Sequence, residues 1–222
     1  MVSVIAAGCG GGGGGGTNTL GNPPAQFTSA QQVQPGQSVV MTGITRSHTL
    51  TGSPAVTSAA VNSADTNTSV QVTAGNTAGA ALSSFGAVSF PTAQANQSWT
   101  SADSPACSAG TCAFSNASSD LVIVAINPSV NFNYQTFGIW DRDLSSTALQ
   151  VGGFSAGAPT PASAVPTTGA ATFNGASLGF YVDPSGVLFT TSASMTANAN
   201  FGTRNIAFST TGTSAVNVVS GV

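Results

Sequence analysis

Few side chains in this chain could do chemistry, and they lie far apart in the sequence. His48 is the single histidine, two residues after Arg46 in a Ser- and Thr-rich run. A general base needs a group that orients it and a proton within reach. Nothing adjacent to His48 supplies either, so it reads as an exposed loop or strand residue. Asp141 and Asp143 flank Arg142. On a strand the two carboxylates would share a face, where they could bind Ca²⁺ or raise the pKa of one of them. With Arg142 compensating their charge, they read first as a polar turn after Trp140. Nucleophile, base and oxyanion donors are not jointly present, so no enzyme is expected. No cofactor is expected either: the run Gly10–Gly16 lacks the following Lys-Ser/Thr and the preceding strand of a phosphate loop.

Cys107 and Cys112 enclose Ser-Ala-Gly-Thr. In an exported protein this reads as a small disulfide-closed loop; two separate buried thiols are the alternative. No metal site is expected, because zinc wants four ligands and neither a second Cys pair nor a His pair exists.

The elements that position these residues must be built with almost no ions. The chain has 222 residues, three Arg, six Asp, and neither Lys nor Glu; charged residues are 4%, where ~25% is ordinary. Ser, Thr, Asn and Gly must keep the surface wet, and with the β-branched residues they disfavour long helices. A net charge of −3 with Arg46, Arg142 and Arg204 scattered excludes a nucleic-acid partner and a polybasic lipid-binding patch.

The strand pattern is clearest near the carboxy terminus. Val187, Phe189, Thr191, Ala193, Met195, Ala197, Ala199 and Phe201 alternate with Leu188, Thr190, Ser192, Ser194, Thr196, Asn198 and Asn200. This predicts a strand with an apolar face and a hydroxyl-and-amide face. Asp183-Pro184-Ser185-Gly186 has the residues of a type I turn. Residues 39–44, 68–72, 80–90 and 121–126 are further strand candidates, the last buried on both faces, whereas 98–118 reads as loop around the Cys pair. Residues 10–37, rich in Gly, Gln and Pro, read as a solvated tether; the seven glycines alone span about 15 Å.

Two resemblances add to this. Residues 2–8 are small and apolar and run into Cys9, which resembles the end of a bacterial lipoprotein signal, although Ala6 stands where Leu is usual and no basic segment precedes it. This implies lipid attachment at Cys9. Asn133-Tyr134-Gln135-Thr136-Phe137-Gly138-Ile139-Trp140, then Gly157-Ala158-Pro159-Thr160-Pro161, Pro166–Gly175 and Asn200-Phe201-Gly202 together resemble the β-barrel domain of transferrin-binding protein B-like lipoproteins. The neisserial heparin-binding antigen's barrel is similar. The likeness spans about residues 131–212. It implies an eight-stranded barrel with Phe173, Phe189, Phe201 and Phe208 inside and with Gly175 and Gly179 at tight curvature. Only about four such strands can be counted, so either the chain is truncated or upstream strands close the sheet. Otherwise 203–213 is an open edge that invites pairing.

The expected fold is therefore all-β: an antiparallel sheet forming a partial or truncated up-and-down barrel over 129–222. It follows a β-rich region over 38–128, a disordered tether over 10–37 and a signal end with its lipid-bearing Cys over 1–9. The resemblance implies a lipid-anchored protein of the Gram-negative outer membrane or cell surface. Its loops at the barrel rim, best 141–168, would bind a host or environmental protein or an iron- or haem-type solute. The lipid would be its only contact with the membrane. A structural or adhesive surface protein without a small ligand is the alternative.

Overall fold

The computed structural model describes residues 25–74, 85–90, 97–103, 106–108, 111–115, 121–125 and 133–218. Apart from three short 3-10 turns, the regular elements among them are strands. They are β1 (Ala25–Gln26), β2 (Ser38–Thr51), β3 (Ser58–Val61), β4 (Asp65–Ala74), β5 (Phe85–Phe90), β6 (Gln97–Thr100), β7 (Ala106–Ser108) and β8 (Thr111–Ser115). β9 (Leu121–Ala125), β10 (Gln135–Ser145), β11 (Ala148–Gly157), β12 (Ala170–Val182), β13 (Leu188–Asn200) and β14 (Asn205–Asn217) follow.

Two sheets result. The larger runs β6-β5-β4-β2-β11-β10-β9-β8-β7, with β1 and β3 also paired to β2; the smaller is β12-β13-β14. All pairings are antiparallel except β1 with β2. β2 is the organising strand. One side of it pairs with β11 from Thr42 to Thr51, and the other with β4 and then β3.

Alternation puts one apolar face of the large sheet into the core. Val39 and Met41 of β2, Val70 and Val72 of β4, Trp99 of β6, Phe114 of β8, Trp140 of β10 and Phe154 of β11 belong to one buried cluster. Each such side chain is worth about 1.5–3 kcal/mol relative to exposure. Gly152 stands directly opposite Trp140, and the indole occupies the space a Cβ there would need. A bulky ring on β10 thus requires an empty position on β11.

Several expectations are corrected. The second half of the supposed tether is part of the core: Phe27, Ala30 and Val33 are buried with Val39 and Met41. Phe27 N–H donates to Val40 O at 2.8 Å and Ala30 N–H to Asn133 O at 2.6 Å. Three apolar side chains among glutamines suffice when each reaches the same cluster. The supposed loop over 98–118 carries β7, β8 and most of β6, with a turn at Ser101–Asp103 tied by the Asp103 carboxylate to Thr100 N–H at 2.6 Å.

The barrel is also corrected: among the described residues both sheets have open strand orders and neither closes. The strands expected to share one wall over 129–222 are divided, β10 and β11 in the large sheet and β12 to β14 in their own. The reason is edge occupancy. β11 has β10 on one side and β2 along ten residues of the other, so no backbone groups remain for β12. Gly175 and Gly179 lie opposite Met195 and Thr191 in an unbroken ladder, not at a bend.

Gly152→Ala should lower stability by about 1–3 kcal/mol, the usual cost of overpacking a filled core, as read from the urea midpoint. Gly169→Ala, where φ is +86° but no atom crowds the site, should cost less. Equal effects would contradict the role assigned to the Trp140 ring.

Candidate functional site

The large sheet's other face receives the small sheet. Leu50, Ile139 and Val151 pack there with Phe180 and Leu188, joined by Leu178 and Val182. The candidate chemical residues share this face. Val151 is opposite His48 on one side and Asp141 on the other. The three form one row, all under 9% exposed. The row separates the backbones of His48 and Asp141 by two strand spacings, about 9–10 Å. His48 is thus a buried strand residue, not an exposed one. Burial, and then the positive charge of Arg46, hold its pKa below 6.5, and its Nδ1 has no hydrogen-bond partner.

Asp141 and Asp143 lie on strand β10, not in a turn; Asp141 is buried and Asp143 exposed. Arg142 faces the opposite side, where its Nε donates to Gln150 Oε1 at 2.9 Å and Gln150 Nε2 donates to Ser47 Oγ at 3.1 Å. Asn62 Nδ2 donates to the same Ser47 oxygen at 3.0 Å. This polar cap closes one end of the core. Among the described residues no group of three or more His, Cys, Asp or Glu is placed to hold a metal ion.

Cys112 is buried and disulfide-bonded, and the residue across the ladder from it is Cys107. Cys9 lies outside the described residues. The supposed contact loop over 141–168 is mostly strand; only 158–169 connects β11 to β12, through an exposed turn at Ala162–Ala164.

The surface best fitted to make contacts is the outer half of the small sheet. Near the core, its buried face carries Phe180 and Leu188. Farther out, with Ala199 of the central strand buried and the flanking strands exposed, the two faces differ in chemistry. One presents hydroxyls and amides, with Thr172 Oγ1 donating to Asn198 Oδ1 at 2.7 Å and Thr196 Oγ1 to Asn174 Oδ1 at 3.1 Å. The other carries the rows Ala171–Ala199–Ile206, Phe173–Ala197–Phe208 and Gly175–Met195–Thr210. Met195 is buried at 8%, but Phe173, Phe208 and Ile206 are 39%, 40% and 71% exposed. The aromatics expected inside a barrel are therefore not buried: Phe173 and Phe208 face water and Phe189 and Phe201 are half-buried. Phe180 fills the core instead.

β14 is exposed from Asn205 to Val216 and forms an edge of this sheet. Edge strands ordinarily carry Lys, Pro or inward charges that prevent further pairing. β14 has none, and Arg204 is the only charge after Asp183. Comparison with protein-family models, curated proteins and solved structures finds no match to this chain.

Neutral His48 is favoured in the folded state, so the unfolded chain binds more protons below its ordinary pKa. The associated stability is present above pH about 6.5 and is lost as pH falls through the lower native value. The melting temperature should fall between pH about 7 and 5, and His48→Gln should flatten that slope. An unchanged slope in the variant would contradict the assignment.

Proposed function

We propose that this chain is a structural or adhesive cell-surface protein, held through a lipid on Cys9, with the three-stranded sheet as its contact element. The observation that carries this reading is the apolar face bearing Phe173, Ile206 and Phe208, left uncovered beside an uncharged edge. Large apolar side chains grouped on an exposed sheet face mark an interaction surface. Phe180 and Leu188 root the sheet on the body and leave the outer half projecting. The disulfide-bonded Cys112 suits an oxidising compartment, where such bonds persist. The ion-poor, hydroxyl-rich opposite face stays hydrated without long charged side chains. With no barrel there is no barrel rim, and solute capture through rim loops is not carried forward.

Beads coated with the full chain should attach to hydrophobic surfaces. Replacing Ile206 and Phe173 with serine should reduce that attachment severalfold without changing the fold, since both side chains are exposed. Attachment that is absent in the wild type, or unaffected by the variant, would refute the contact role. In cells, a labelled fatty acid should enter the wild-type protein and not the Cys9→Ser variant; no label in either would remove the anchor.

A further inference from the structure

We propose that β14 pairs with β14 of a second copy, antiparallel and about a two-fold axis at Phe208, joining two three-stranded sheets into one of six strands. This rests on the contact role of the small sheet and names its partner. The direction of β14's free backbone groups carries it. Phe201 N–H donates to Gly169 O at 2.9 Å, which continues the register Ala170↔Asn200. Odd-numbered residues of β13 therefore exchange hydrogen bonds with β12. Even-numbered ones turn to β14, as Val218 N–H bonded to Leu188 O at 3.1 Å also shows. Alternation in an antiparallel ladder then fixes the rest.

Through the register Ser194↔Thr211 to Asn200↔Asn205, residues 205, 207, 209 and 211 bond inward. The N–H and C=O groups of Ile206, Phe208 and Thr210 point away from the sheet. A shift between Ser192 and Ser194, with Gly212 at φ +63°, places a bulge just beyond Thr211. The regular edge thus runs from the turn before Asn205 to the bulge after Thr211. Its three outward residues are symmetric about Phe208.

An edge with that symmetry is complementary to a copy of itself. In this register Phe208 faces Phe208 of the second copy, and Ile206 faces Thr210. About six backbone hydrogen bonds form, two for each of three bonded pairs. No charge opposes a like charge, because residues 205–211 carry none. Opposite residues share a face, so the row Phe173–Ala197–Phe208 continues into its mirror row across the axis.

Sedimentation of the full chain should show a monomer–dimer equilibrium. Phe208→Lys sets like charges opposite each other and removes the aromatic pair. It should weaken self-association roughly tenfold or more, as should Phe208→Asp, and an equimolar mixture of the two should dimerise again. Phe208 is exposed in the monomer, and unchanged emission from the buried Trp99 and Trp140 would show that each variant is folded. In the Cys9→Ser background, Phe208→Cys should oxidise to a covalent dimer and Ala215→Cys should not. A wild type that stays monomeric at all concentrations, a Phe208→Lys dimer as tight as wild type, or cross-linking through Ala215→Cys would each overturn the proposal. A monomeric wild type that still attaches to hydrophobic surfaces would overturn the pairing alone and leave the adhesive reading standing.

Discussion

Backbone pairing along β2 is the constraint from which the rest of the molecule follows. A strand has two edges, and each can be used once. Residues 42–51 of β2 take the side of β11 that β12 would otherwise have joined. The chain leaving Gly157 therefore cannot extend the large sheet. It passes through 158–169 and begins a second sheet, which among the described residues consists of β12, β13 and β14 alone. Both the division of the carboxy-terminal region and the open edge of β14 come from that single occupancy.

The two sheets meet through apolar side chains and through one backbone hydrogen bond between their connections, Val56 N–H donating to Gly186 O at 2.9 Å. Phe180 and Leu188 reach Leu50, Ile139 and Val151, so a short apolar contact anchors a much longer ribbon. Polar groups caught beneath or beside this junction set its chemistry. Burial there, and then the charge of Arg46, lower the pKa of His48, and Asp141 lies in the same row beyond Val151. These are the residues with the most evident chemical potential, and the fold buries both on strands of the large sheet. On the small sheet the accessible surface is apolar on one face and rich in hydroxyls and amides on the other.

What could be read from the residues was local. The alternation over 187–201 identified β13 and the difference between its faces, and the turn at 183–186 forms with Gly186 N–H donating to Asp183 O at 3.0 Å. Asp183 also accepts from the Val187 N–H and from Ser185, which lowers its pKa. An open edge near 203–213 was legible only as a condition, from counting too few strands to close a barrel; β14 does form an edge of its sheet. Strand order was not legible, because pairing between β2 and β11 joins residues about a hundred positions apart, and no local pattern encodes which edge arrives first. The face switch was missed for a related reason. Leu188 lies on the hydroxyl-rich face by parity, yet it is buried because the root of the ribbon docks by that face and the tip does not. Phe27, Ala30 and Val33 were hidden by their glutamine-rich surroundings.

Residue-resolved amide hydrogen exchange on the dilute, monomeric protein tests the central claim most directly. If β14 is a true edge, the amides of Ala207, Ser209 and Thr211 exchange slowly, and those of Ile206, Phe208 and Thr210 exchange quickly. Slow exchange at all six under dilution would mean that another strand of the same chain covers the edge, and the two-sheet account would fail.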